Sequence, residues 1–141
     1  MTKLNPYLFF DGNCEDAFNF YKLVFGKDLR IARYKDVPQT DRQIFHEEDE
    51  KIMHASLPIN AETTLMGADM TGLYKQPVST TNFALYINTD NKEEADRLFN
   101  ELSSGGQIKM AMSETFWGSY YGLVTDKFGI NWKITFDLNP E

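Results

Sequence analysis

With 141 residues the chain has room for one domain, or for two small halves sharing a core. Hydrophobic residues make up 42% and aromatics 14%, which argues against a disordered chain and suits a compact globule. The net charge of -7 argues against unaided binding to nucleic acid or to an anionic membrane, because phosphates repel like charge. No apolar run is long enough to span a bilayer, and no signal-peptide pattern is present. The single cysteine, Cys14, allows no intrachain disulfide and fits a reducing compartment, so a cytoplasmic protein is expected.

Leu4 to Phe10 is a short apolar run, read as a strand. Asp11-Gly12-Asn13 breaks it, and Asn13 stands where a helix N-cap would, with Glu15 and Asp16 in the first turn. Ala17, Phe20, Tyr21, Val24 and Phe25 recur at helical spacing, and Gly26 suits the helix end. Leu29, Ile31 and Arg33 mark a second strand. Lys35 to Glu50, with His46 and the acidic run from Glu47, reads as an exposed loop. From Ile52 to Ile59, Met53, Ala55, Leu57 and Ile59 alternate with His54, Ser56 and Pro58, giving a third strand. Thr63 to Ala68 is a fourth, and Asp69 to Thr80 reads as a linker.

The plan then repeats. Asn82 to Ile87 is a strand. Asp90-Asn91-Lys92-Glu93 has the form of a capping box with Asp90 as the cap. Ala95, Leu98, Phe99 and Leu102 mark the buried face of a helix that Gly105-Gly106 stops. Ile108, Met110 and Met112 form another strand, and Glu114 and Trp117 lie in the loop after it. Tyr120 to Asp126, a turn at Asp126-Lys127-Phe128-Gly129 and a strand through Trp132, Ile134 and Phe136 complete the chain. Strand, helix and three strands, twice over, is the main organisational signal. Each helix must cover one apolar sheet face. In the second half Phe83, Leu85, Ile87, Trp132, Ile134 and Phe136 are placed under the helix, leaving Asn82, Ala84, Tyr86, Asn131, Lys133 and Thr135 on the other face. Two such sheets side by side predict an α+β fold in which two βαβββ modules form a cup-shaped mixed sheet with helices on the outer face. The modules run from about 4 to 70 and 81 to 137, with a linker at 71–80.

Five blocks in this order resemble a known group: P-Y-L-F-F-D-G-N-C-E-D-A-F-N-F-Y at Pro6 to Tyr21, I-M-H-A-S-L at Ile52 to Leu57, L-M-G-A-D at Leu65 to Asp69, E-T-F-W-G at Glu114 to Gly118, and V-T-D-K-F-G-I-N-W at Val124 to Trp132. They are similar to the PhnB-like branch of the vicinal oxygen chelate superfamily, which includes glyoxalase I, bleomycin-resistance proteins and extradiol dioxygenases. The resemblance implies paired βαβββ modules, often completed by a homodimer, and it implies function only loosely, because one fold hosts many chemistries. In metal-using members the ligands sit on the first and last strands of each module. Here the matching positions are Pro6, Met66, Asn82 and Lys133. Proline has no ligand atom in its side chain, Met suits few divalent ions and a protonated lysine repels a cation, so the usual metal centre is not expected. Relatives of this branch sometimes carry a methyltransferase label, and nothing in the sequence looks like a nucleotide-methyl-donor site.

Candidate site residues come from the cup face and its rim. His54 shares a strand face with Ser56, where it serves as a base or metal ligand or, on the bland reading, as a hydrogen-bonded strand histidine. Trp117 either stacks on a planar ligand or plugs the core. Glu114 either takes a proton or metal, or caps a turn. Tyr7, Tyr86 and Tyr121 offer hydroxyls, Asn82 an oxygen, and Lys133 would give an anionic ligand a physical basis. Asp69 and Asp126 read as turn-closing structural acids, Cys14 as an inert thiol and His46 as a surface histidine. The expected function is small-molecule binding or sequestration without a cofactor. The alternatives are an enzyme with a displaced divalent metal or acid–base set built from His54 and Glu114, and a scaffold with no ligand.

Overall fold

In the first half of the chain β1 (Tyr7–Phe10), α1 (Cys14–Phe25), β2 (Arg30–Arg33), β3 (Ile52–Pro58) and β4 (Thr64–Asp69) follow in order, with a 3-10 turn at Tyr34–Asp36. The second half repeats the plan with β5 (Leu85–Asn88), α2 (Lys92–Ser103), β6 (Gln107–Glu114), β7 (Ser119–Thr125) and β8 (Asn131–Asp137). This is a computed structural model that describes residues 2–36, 49–71 and 82–138. Contacts divide the chain into two units, Met1–Val78 and Ser79–Glu141. The expected linker at 71–80 and His46 lie, apart from Thr71, outside the described residues.

Each unit is one four-stranded mixed sheet with one helix, the expected pair of βαβββ modules. The strand orders are β1-β4-β3-β2 and β5-β8-β7-β6. The outer pairs β1–β4 and β5–β8 are parallel and the rest antiparallel. A parallel pair needs a long crossover, and the helix with the two strands after it supplies one in each unit.

The helices bury most of the faces that the spacing marks, although Phe20 and Phe25 are only half-buried. Ala17, Tyr21 and Val24 are buried on α1, as are Cys14 and Phe18, which the helical spacing had not singled out. Ala95, Leu98, Phe99 and Leu102 are buried on α2. In both units a helix phenylalanine rests on a sheet glycine. A Cβ on Gly67 would meet Phe18 Cε2 at 2.7 Å and the Leu8 carbonyl at 2.8 Å. A Cβ on Gly122 would meet Phe99 Cε2 and Met112 Sδ, both at 2.7 Å. No helix among the described residues is long and apolar enough to cross a membrane.

Several boundaries move. The first strand starts at Tyr7, not Leu4, which is 96% exposed. β4 runs through Asp69, which is buried at its end rather than opening a linker. Asn82 precedes β5 in a turn and is not on the strand; Phe83 and Ala84 also lie before the strand, and Phe83 is 47% exposed rather than under the helix. Glu114 is the last residue of β6 rather than a loop residue. The cap of α2 is Asn91, one residue after the expected Asp90: its side chain accepts the Glu94 N–H at 2.7 Å, while the Glu94 carboxylate pairs with Arg97. Asn13 does occupy the N-cap position of α1, but its side chain makes no capping bond. Asp69 does that work from 55 residues away, its Oδ1 accepting the Cys14 N–H at 3.0 Å while Oδ2 accepts the Ile52 N–H at 2.9 Å. The strand alternation also slips at Met53. Ala32 pairs with His54 and Arg33 with Ile52, so Met53 is the extra residue of a bulge and Ile52 turns inward, 1% exposed.

Candidate functional site

Residues directly opposite one another on paired strands share a sheet face. In the second unit this rule sorts the candidates. Tyr86 pairs with Lys133 and Lys133 with Leu123, forming one row across β5, β8 and β7. Asn88, Thr135 and Tyr121 form the next row. The neighbouring residues Trp132 and Ile134 are buried and face α2, so both rows lie on the face away from the helix.

On that face four of the expected residues meet. The Lys133 ammonium stands over the Tyr121 ring at 4.9 Å from its centroid and 5.9 Å from that of Tyr86. Trp117, from the turn between β6 and β7, lies against Tyr121 with centroids 6.2 Å apart and planes tilted by 34°. The Tyr86 hydroxyl is 3.1 Å from Thr135 Oγ1, which holds the ring against the sheet. Trp117 does not plug the core: it is 62% exposed, and Tyr86 is 58% exposed. Phe116, which the reading of the sequence passed over, is 97% exposed and meets Trp117 edge-on at 4.9 Å. Its place beside Trp117 in T-F-W-G was the available signal. The turn is held by Thr115, whose backbone N–H and hydroxyl both donate to the Ser119 carbonyl.

Glu114 is not in this group. It pairs with Tyr120, whose hydroxyl donates to Asp96 of α2 at 2.5 Å, so both side chains are on the helix side. There the Glu114 carboxylate sits 3.6 Å from Lys92 Nζ, and Lys92 covers the Tyr120 ring. The Asp96 carboxylate beside it, with burial next, pushes the Tyr120 phenol up to about 12. Asn82 stands apart as well, in its turn before β5.

In the first unit Tyr7, Met66, Ser56 and Arg30 form a row, with Ala32 and His54 in the next. Leu8, Phe10, Ala55 and Leu57 are buried on the α1 side, so His54 is on the face away from the helix, as the alternation predicts. The Tyr7 hydroxyl lies 3.4 Å from His54 Nδ1, with ring centroids 5.8 Å apart, and Phe9 extends the aromatic surface 5.2 Å from Tyr7. Burial, then Tyr34 and Cys14, raises the Tyr7 phenol above its usual range. Cys14 is buried and its thiol is pushed far up, by burial first and then by the Asp69 and Glu15 carboxylates, which leaves it protonated.

A metal at the positions used by metal-binding relatives finds no suitable donor set. Lys133 brings a positive charge there, Asn82 is off its strand, and Pro6 and Met66 offer no hard ligand. Among the described residues no three His, Cys, Asp or Glu side chains come together to hold an ion.

Residues 2–135 match the model of the family described as 3-demethylubiquinone-9 3-methyltransferase. The chain belongs to this family. Protein YjdN of Escherichia coli K12 is 33% identical over 139 residues, covering 93% of this chain and 92% of that protein. The crystal structure of PA1353 from Pseudomonas aeruginosa superposes with a TM-score of 0.81 at 33% identity, over 99% of this chain and 100% of that one. The structure from Bacillus cereus titled as a putative 3-demethylubiquinone-9 3-methyltransferase, PhnB protein, gives 0.74 at 25% identity, over 96% and 99% of the two chains. The same fold recurs in solved glyoxalase/bleomycin resistance/dioxygenase proteins only 17% and 14% identical to this chain, a likeness of fold alone. The protein is thus PhnB-like and shares its fold with the glyoxalase/bleomycin-resistance proteins.

Proposed function

We propose that this is a small-molecule binding protein whose ligand rests on the helix-free face of the second sheet, on Tyr86, Tyr121 and Trp117, without a metal at the positions used by metal-binding relatives. The observation that carries the reading is the exposure of Trp117 and Tyr86 beside Tyr121 on an ordered strand face. A contiguous aromatic surface left in water is costly and marks an interaction site. Tyr and Trp supply rigid stacking area with little entropy to lose. The rival reading, an enzyme built on His54 and Glu114, has less support, because the Glu114 carboxylate is engaged by Lys92 on the helix side. The methyl transfer in the family's description finds no support in the sequence, where no nucleotide-methyl-donor motif stands out.

The test uses the tryptophans. The Trp132 indole is buried and donates to Asp126 at 2.8 Å, so an added ring quenches Trp117 selectively. A panel of fused-ring aromatics, neutral and anionic, is titrated while fluorescence and the unfolding midpoint are followed. A binder at 100 times its dissociation constant adds about 2.7 kcal/mol and lifts the midpoint by several degrees. Trp117→Ala and Tyr121→Ala abolish the rise. A panel that neither quenches nor stabilises overturns the reading. Zinc, nickel, manganese and ferrous iron are expected to leave the metal-stripped midpoint unmoved. A rise with one of them, lost in His54→Ala, would overturn the metal-free part.

A further inference from the structure

We infer that the ligand on this face is an anion, a planar ring bearing a carboxylate or similar oxyanion, and that Lys133 is the residue that selects for it. The inference rests on the binding reading above and adds the charge of the ligand.

Among the described residues the Lys133 ammonium has no acid partner. The chain carries 21 acidic residues against 14 Lys and Arg, so carboxylates are plentiful. Arg33 has Glu15 and Glu50, Lys35 has Glu50, Lys92 has Glu114, and Arg97 has Glu94 and Glu101, while Lys3, Lys22, Lys27, Arg30 and Lys109 are exposed and water solvates them. Lys133, on the central strand β8, makes no ion pair among the described residues. Its recorded partners are two tyrosine rings. A ring face attracts a cation only weakly at an exposed site, carries no net charge and leaves the N–H donors in need of acceptors. The acid nearest in register on this face is Asp137, one row beyond Thr135, and it lies 3.4 Å from the Asn88 side-chain amide. A half-buried ammonium flanked by aromatic rings suits a ligand that brings its own negative charge. An oxyanion bonded to it makes the stronger, charge-assisted kind of hydrogen bond. The same charge disfavours cationic ligands.

The ring and the charge are also rightly spaced. Tyr121 touches both Lys133 and Trp117, so a ring stacked beside Trp117 has its substituent within reach of the ammonium. A flat aromatic acid uses both.

The experiment compares 2-naphthoate with 2-naphthamide, which share a ring and differ in charge. In the native protein the acid is expected to bind at least ~10-fold more tightly, and its affinity alone falls as salt rises. Lys133→Met keeps the apolar stem and closes the gap by weakening the acid. Lys133→Arg retains the preference. Equal affinity of acid and amide in the native protein, with no salt dependence, overturns the inference and leaves the binding reading standing. Failure of both probes to quench Trp117 overturns the binding reading and the inference together. The native-protein comparison needs no variant, so a poorly folding Lys133→Met does not blunt it.

Discussion

The two modules share one order of elements and place their buried carboxylates differently. In the first, Asp69 sits at the end of β4 and bonds the opening N–H of α1 and the opening N–H of β3. It joins three elements brought together by the fold. In the second, Asp126 sits at the end of β7 and receives the N–H of Phe128 and Ile130 and the indole of Trp132, all within six residues. The second helix is capped instead by its own Asn91. The same topology is thus closed by a long-range carboxylate in one module and by local chemistry in the other. A residue's neighbours in sequence show the second kind and hide the first.

The largest effects should come from these two acids. Asp126→Ala strands buried N–H groups of a turn and an indole and is expected to cost about 4 kcal/mol. Asp69→Ala strands two buried backbone donors and should cost about 3 kcal/mol, read from urea unfolding. If Asp69→Ala proved neutral, the long-range tie between helix and sheet would have no energetic content.

The glycines under the helices come next. Gly67→Ala sets a methyl against the Leu8 carbonyl as well as Phe18, and backbone cannot step aside. It should cost about 3 kcal/mol, against about 2 for Gly122→Ala, where the Met112 side chain can move and the backbone atom in the way, the Met110 carbonyl, stands at 3.0 Å rather than 2.8 Å. Equal costs would show that Phe18 and Phe99 alone set the penalty.

Tyr120→Phe removes a hydrogen bond to the Asp96 carboxylate and should cost about 1.5 kcal/mol at neutral pH. The folded phenol titrates above its ordinary value of 10, at about 12. The stability it supplies is therefore complete below pH 10 and is lost as pH rises from 10 through 12. Unfolding midpoints across that window should fall in the native protein beyond any fall in Tyr120→Phe. Parallel profiles would remove Tyr120 from the account.

The caps give the smallest and sharpest contrast. Asn91→Ala should lose about 1 kcal/mol, whereas Asn13→Ala, at the same position of the other helix, should stay within ~0.5 kcal/mol. Similar losses at both would mean that Asp69 is not the cap of α1.

Most of the element order was legible because apolar spacing repeats every two residues in strands and every 3.6 in helices. The turn at Asp126 to Gly129 was legible for the same local reason, its acid and glycine lying within four residues. The cap of α2 was read one residue early, since Asp90 and Asn91 each have an acid three residues on and only the backbone geometry separates them. The bulge at Met53 was invisible, because a one-residue slip depends on the partner strand.

The candidate site divides in the same way. That Tyr86 and Lys133 share a face follows from alternation along their strands, and His54 was placed on its face by the same rule. That Glu114 turns toward α2 while Trp117 stays in water does not follow from alternation, because Glu114 is the last residue of β6 and Trp117 lies in the turn after it, where the period of two stops applying. By itself the sequence determined the two modules and most of their helix faces, since those depend on local periodicity and side-chain type. Only the tertiary structure decided that Lys133 stands between two tyrosine rings with no acid partner among the described residues, and that Asp69 starts a helix 55 residues away. Both depend on which strands lie side by side, and that is set by contacts between residues far apart in the chain.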